Sequence, residues 1–303
     1  MIRALVTGCR GQVGSELLRA LEGRAEVLAR DRASLDLGDP QAIRRVVRDE
    51  RPQLIVNAGA YTAVDKAETE PEAAPAVNAT APGVLAEEAK RVGALLVHFS
   101  TDYVFDGTKA APYVETDPTS PVSAYGRTKL EGEEAIRAAG CDHLILRTSW
   151  VYGAHGKNFL LTMLRLAATQ AQIRVVDDQR GAPTSSRQIA EGVVDLLLGS
   201  ARGRPVAESD LGRLRDASGL YHFTASGVAS WFEFAQAIFA ERATQPGQAF
   251  TAPRVVAITT REYPTPARRP ANSVLSNEKL VATFGARLPD WRAGLRETLS
   301  ALA

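Results

Sequence analysis

Tyr125 and Lys129 form a YxxxK pair at the start of an expected helix (residues 123–139). Four residues apart on a helix, the phenol and the ammonium share one face. A lysine cation beside a phenol favours the phenolate and is expected to lower its pKa, so that Tyr125 could donate or accept a proton near neutral pH. The competing reading is a solvated Tyr and Lys on an exposed face, and two further blocks weigh against it. Gly8-Cys9-Arg10-Gly11-Gln12-Val13-Gly14 lies between the first expected strand and the first expected helix. There Gly8 would allow a tight turn, Gly11 would let backbone N–H groups approach a pyrophosphate, and Gly14 would let the helix pack closely on a sheet. Ser100-Thr101-Asp102 ends a second apolar strand. Its Thr101 hydroxyl would emerge where a substrate carbonyl could be held as negative charge develops on it. A glycine-rich structural turn and a strand-end Thr serving loop backbone are the alternatives for these two blocks.

Parallel strands must carry these residues to one edge. Short apolar runs alternate with amphipathic segments: strands at 2–6, 25–29, 54–57, 95–100 and 144–148, and helices at 11–21, 40–50, 72–92 and 123–139. This alternation predicts α/β architecture with a Rossmann-like doubly wound parallel sheet, whose ligands bind at the carboxyl ends of the strands. The 95–100 strand carries His98 among apolar residues, and the helix at 72–92 must run through Pro75 and Pro82. After Trp150 the alternation loosens, with helices at 159–169, 187–198, 230–242 and from 291, and strands at 173–176 and 220–223. The polar stretch 199–219 reads as a mobile surface loop and 263–270 as irregular. The expected division is a dinucleotide-binding domain from 1–148 plus about 187–224, and a smaller α/β substrate domain from about 149–186 plus 225–303.

With 303 residues, 45% apolar and 23% charged, the chain can bury a full core, and no apolar run approaches the length of a membrane span. A net charge of +1 with scattered charges excludes recruitment of nucleic acid or an anionic membrane by a global field. Cys9 and Cys141 are too few for a disulfide framework, and the four histidines have no metal-ligand spacing, which places the chain in a reducing compartment such as the cytoplasm. At the end of the second strand Arg30, Asp31 and Arg32 offer both an acid for ribose hydroxyls and cations for an extra phosphate, so NADH and NADPH both stay open. Trp150, after a strand, could face a sugar or be core. Arg268 and Arg269 could pair with a diphosphate or be solvated, and Asp65 and Lys66 could form a local ion pair.

The GxxGxxG spacing resembles the extended short-chain dehydrogenase/reductase superfamily. More specifically, residues 57–68 (NAGAYTAVDKAE), 100–107 (STDYVFDG), 125–129 (YGRTK), 147–152 (RTSWVY), 178–184 (DQRGAPT) and 263–270 (YPTPARRP) resemble the dTDP-4-dehydrorhamnose reductases, over nearly the whole chain. The resemblance implies NADPH- or NADH-dependent reduction of the C4 ketone of dTDP-4-dehydro-6-deoxy-L-mannose. It implies that Tyr125 protonates the C4 oxygen, that Lys129 holds the nicotinamide ribose, and that Thr101 orients the ketone. Gly11, Gln12 and Val13 would meet the dinucleotide backbone, Arg30 the outer ribose, Asp36 and Leu37 the adenine, and Ala60, Tyr61 and Thr62 the inner ribose. Asp102, Tyr103, Trp150, Thr62, Val64 and Arg269 would meet the nucleotide sugar. A homodimer, with Mg²⁺ at the interface in some members, is implied as well, although no carboxylate cluster identifies a Mg²⁺ site by spacing.

Two other functions share some of these features. A nucleotide-sugar epimerase or 4,6-dehydratase of the same superfamily would carry the glycine motif and YxxxK, but a dehydratase sets an acid pair beside its active-site Thr, and here Asp102 is followed by Tyr103. A dinucleotide-binding regulatory subunit, like the β subunit of methionine adenosyltransferase, would not need Thr101, Tyr125 and Lys129 together.

Overall fold

A computed structural model of the chain describes residues 1–199, 201, 203–245 and 250–302. Five strands, β1 (Arg3–Thr7), β2 (Glu26–Arg30), β3 (Leu54–Asn57), β4 (Leu95–Thr101) and β5 (His143–Thr148), join with Gly219–His222 in one six-stranded sheet. The spatial order is Gly219–His222, β5, β4, β3, β1, β2, and every pairing is parallel. The central strands are apolar on both faces because both are covered. Ala4 and Val6 of β1 pack into one core and Leu5 into the other, and Leu54, Val56 and Ile55 of β3 divide in the same way.

Helix α1 (Gln12–Leu21) and the helix Ser186–Leu198 cover the first face, where Leu17, Leu21, Ile189 and Val193 are fully buried. Helix α2 (Pro40–Glu50) covers the other through Ile43 and Val47, and the Asp39 carboxylate caps it by accepting from the N–H groups of Gln41 and Ala42. The strand order reverses between β1 and β3, the position at which doubly wound sheets bind ligands. There the backbones come so close that a Cβ on Gly8 would lie 2.6 Å from Gly59 Cα.

The expected helix at 72–92 runs through both prolines, as α3 (Ala73–Pro75), a π-helical turn (Ala76–Thr80) and α4 (Ala81–Val92), with helical backbone angles at each junction. Pro82 has no N–H to give to the carbonyl of Asn78, and the turn widens there. That carbonyl packs on α5 (Ala124–Ala139), where a Cβ on Gly132 would lie 2.1 Å from it. One correction concerns the expected loop at 199–219. Residues 200 and 202 lie outside the described residues, but Glu208–Asp216 is a helix whose Leu211 and Leu214 bury against the main core, and Val206 N–H donates to the Arg24 carbonyl at 2.8 Å. The hydrophobic spacing of its two leucines was masked by five charged neighbours. Residues 263–270 are irregular, as expected.

The remaining chain builds a third core. Gln172–Val176 pairs in parallel with Arg254–Ile258, a strand with no counterpart in the sequence reading. The helices Phe159–Ala167, Trp231–Thr244 and Trp291–Ser300 pack beside it through Leu160, Phe234, Ile238, Trp291 and Leu295. No helix among the described residues is long and apolar enough to cross a membrane.

Candidate active site

At the carboxyl edge of the sheet the first turn is shaped for a phosphate. Gly8 has φ +63°, the left-handed region that favours glycine, and Gly14 sits where a Cβ would be 2.2 Å from the Gly8 carbonyl. Gly11 is the N-cap of α1 and offers no side-chain oxygen to the helix, so the first N–H groups of α1, from Gln12 and Val13 onward, face outward as donors for an anion. The segment after β5 folds over this turn: Asn158 Nδ2 donates to Gln12 Oε1 at 2.7 Å, and His155 Nε2 lies 2.7 Å from Ser15 Oγ.

The end of β2 lies beside it, and a concavity is lined there by Cys9, Arg10, Ala29, Asp31, Ala33 and Ser34. Hydrogen bonds from Ser34 hold the Asp31 carboxyl below the usual range, and the exposed Arg10 pairs with it at 2.7 Å. The Arg30 guanidinium is committed to Glu50. Leu37 is buried against Gly59, where a Cβ would meet it at 2.4 Å, and Asp36 is exposed with Oδ1 accepting from Gly38 N–H. Ala60 and Thr62 are exposed on the loop after β3, and the Thr62 carbonyl accepts from Val64 N–H at 3.0 Å.

Tyr125, Lys129 and Thr101 converge over the end of β4. Ser123 caps α5 by accepting from Gly126 N–H, which puts Tyr125 in the first turn. The Tyr125 and Tyr103 rings meet edge to face at 5.6 Å. Lys129 is buried, and its Nζ donates to the Phe99 carbonyl at 2.7 Å and lies 3.1 Å from His98 Nε2. Desolvation pushes the Tyr125 phenol up to about 12, partly offset by the Thr101 hydroxyl beside it. The expected lowering by Lys129 is therefore absent: the ammonium end is turned to β4, and burial pulls its own pKa down to about 8. At neutral pH the phenol carries its proton, the form a donor must have.

Asp102 follows Thr101 and is buried, with Oδ1 accepting from the Thr101 hydroxyl at 3.0 Å. Desolvation raises it to about 7, against the pull of the Ser273 and Thr101 hydroxyls. Between its ordinary value of 3.8 and about 7 the folded chain keeps a proton that the unfolded chain has released, so this group's contribution to stability declines as pH rises through that window. Asp102→Asn should flatten the fall in urea midpoint between about pH 4 and pH 7, and an unaltered slope would rule this account out.

Other expected site residues have protein partners that the sequence reading did not name. Arg269 forms a two-pronged pair with Asp65, at 3.0 and 2.9 Å, so Asp65 is matched to Arg269 and not to Lys66. Trp150 adopts φ +47° and stacks on Trp231 at 3.5 Å between ring centroids, and a Cβ on Gly181 would lie 2.5 Å from its ring. One face of Trp150 is thus occupied by another indole. Asn78, His98, His155, Asn158 and Trp231 were missed by sequence reasoning. Asn78 Oδ1 accepts from Tyr61 N–H at 2.9 Å while its Nδ2 donates to the Tyr61 carbonyl at 3.0 Å and to Thr128 Oγ1 at 3.2 Å, and the two prolines flanking it were its only sequence signal. Among the described residues no three His, Cys, Asp or Glu side chains could hold a metal, so this chain offers the Mg²⁺ expectation no support.

The profile of the family described as "RmlD substrate binding domain" matches residues 2–303. A dTDP-4-dehydrorhamnose reductase of Burkholderia thailandensis is 53% identical over 294 residues, covering 96% of each chain. A crystal structure of a dTDP-4-dehydrorhamnose reductase from Clostridium acetobutylicum superposes with a TM-score of 0.89 at 37% identity, covering 99% of both chains. Another from Bacillus anthracis, solved in complex with NADP, gives 0.86 at 31% identity and 99% coverage of both.

Proposed function

The chain belongs to the RmlD substrate binding domain family, and from that premise we infer that it reduces the C4 ketone of dTDP-4-dehydro-6-deoxy-L-mannose to dTDP-L-rhamnose with NADPH or NADH. The observation that carries this reading is the placement of the Tyr125 phenol beside the Thr101 hydroxyl, at the sheet edge where the glycine turn also opens. The fit to a dinucleotide rests on the turn at Gly8, Gly11 and Gly14: a Cβ on Gly8 would run into Gly59 and one on Gly14 into the Gly8 carbonyl, so only glycines let the start of α1 lie this close to the sheet edge.

When bound, the dinucleotide supplies the hydride. The C4 oxygen, gaining charge as the carbonyl carbon is reduced, takes the Tyr125 proton, and Thr101 holds the oxygen in line by a hydrogen bond. Lys129 serves the nicotinamide ribose. Backbone N–H groups of Gly11, Gln12 and Val13 hold the pyrophosphate, Asp36 and Leu37 flank the adenine, and Ala60, Tyr61 and Thr62 line the inner ribose. Asp102, Tyr103, Trp150, Thr62 and Val64 receive the nucleotide sugar, with Arg269 braced on Asp65 at its rim. In this reading the six-stranded sheet is the dinucleotide domain, the third core carries the sugar domain, and the enzyme works as a cytoplasmic homodimer.

Asp31 and Arg10 set the balance between the two dinucleotides. The carboxylate accepts from ribose hydroxyls and repels a 2′-phosphate, whereas the exposed Arg10 can turn to that phosphate. Asp31→Ala should raise the NADPH to NADH ratio of kcat/KM by about tenfold, and an unchanged ratio would remove Asp31 from the site.

The direct test is loss of absorbance at about 340 nm with the 4-keto nucleotide sugar, run separately with NADH and NADPH and with the product identified by mass. Oxidation yielding dTDP-L-rhamnose is expected. Dinucleotide binding without oxidation would replace this reading with that of a regulatory subunit.

A further inference from the structure

The segment 153–158, where the chain enters the third core, lies across the glycine turn, and one amide in it is oriented by backbone groups alone. Asn158 is the N-cap of the helix Phe159–Ala167, and its Oδ1 accepts from Leu161 N–H at 3.0 Å. Its Nδ2 donates to the carbonyls of Gly153 at 3.0 Å and His155 at 3.2 Å. A backbone N–H can only donate and a carbonyl can only accept, so this amide has one possible sense. The same Nδ2 lies 2.7 Å from the side-chain amide of Gln12, the first residue of α1. An amide nitrogen accepts nothing, so Gln12 must present Oε1 there; turned over, it would set two NH₂ groups against each other. Two more contacts keep the segment on the turn. Gly156, with φ +81°, comes so near that a Cβ would lie 3.0 Å from Gln12 Cγ, and His155 Nε2 is 2.7 Å from Ser15 Oγ. With Oε1 held by Asn158, Gln12 Nε2 is the open arm of the amide: it bonds to no described residue and reaches the surface.

We propose that Asn158 is a positioning residue for the dinucleotide, turning the Gln12 amide so that its NH₂ joins the first backbone N–H groups of α1 as a donor to the pyrophosphate. Gln12 begins the helix whose N-terminus faces that anion in the reductase reading, where unpaired N–H groups and the helix dipole favour negative charge. The opposite sense would aim a carbonyl oxygen at the phosphates, so one amide decides between attraction and repulsion. The residue that fixes it lies 146 residues along the chain and also starts the first helix of the third core.

The test is a double-mutant cycle on the full chain, read as the Kd of whichever of NADPH and NADH the wild type binds more tightly. Asn158→Ser keeps a capping oxygen for the helix but withdraws the donor from Gln12. Gln12→Ala removes the amide itself. A hydrogen bond to a charged group is lost in either case, so each variant should raise Kd by about five- to tenfold. The double variant should match Gln12→Ala within about twofold, because the two residues act through one bond. An Asn158 that only supported the loop would weaken binding in the Gln12→Ala background too. Effects that multiply to about fiftyfold would therefore overturn the proposal, as would Asn158→Ser binding at the wild-type Kd. The inference rests on the reductase reading, and the outcomes part the two. A wild type that binds dinucleotide without oxidising it on the 4-keto sugar would overturn that reading and leave the cycle valid, whereas one that binds no dinucleotide would overturn both.

Discussion

Tyr125→Phe should lower kcat by about 10²- to 10⁴-fold, the range expected for loss of a positioned general acid, while the dinucleotide Kd stays within about threefold of wild type. The substitution removes one oxygen and leaves the ring, so the edge-to-face contact with Tyr103 at 5.6 Å survives. Lys129 keeps its place as well, because it is held by the Phe99 carbonyl and by His98. The residual rate would come from Thr101 and from bound, oriented reactants. Single-turnover kinetics and a binding titration on the same preparation separate the two quantities. Turnover within tenfold of wild type would remove Tyr125 as the proton donor.

Glu133→Gln should cost about 3–5 kcal/mol of stability, because it leaves a buried guanidinium without its counter-charge. Glu133 is fully buried on α5, accepting from Arg147 Nε at 2.8 Å, from Nη2 at 2.7 Å and from Ser100 Oγ at 2.5 Å. Arg147 is equally enclosed, its guanidinium 5.0 Å from the centre of the Phe105 ring. These contacts clamp α5, which carries Tyr125 and Lys129, to β4, which carries Thr101, and to β5. Urea denaturation at neutral pH would measure the loss, and a value below about 1 kcal/mol would mean that the pair does not clamp the site. Adding Arg147→Met to Glu133→Gln should recover part of it, since the unpaired charge is then gone.

Legibility followed the range of the interactions. The sheet was readable because its strands are covered on both faces and so appear as continuous apolar runs, with Leu54, Ile55 and Val56 as the clearest case. The glycine turn was readable because backbone sterics at Gly8 and Gly14 act within a few residues and exclude a Cβ. The YxxxK pair was readable for the same reason, as helix geometry puts both residues on one face. What followed from these was the class of fold and the candidates for the reacting groups.

Electrostatic states were decided only by tertiary structure. Residue spacing implied that Lys129 would act on the Tyr125 phenol, but its amine is drawn to a carbonyl and an imidazole on β4, about thirty residues earlier in the chain. Arg269 spends its guanidinium on Asp65, two hundred and four residues away, and Trp150 lays one face on Trp231. Local sequence determines which segments become strands and helices, because burial patterns and backbone sterics act over a few residues. Hydrogen-bond partners and desolvation depend on which distant segments meet, and so the charge carried by each side chain at the sheet edge is a property of the folded chain alone.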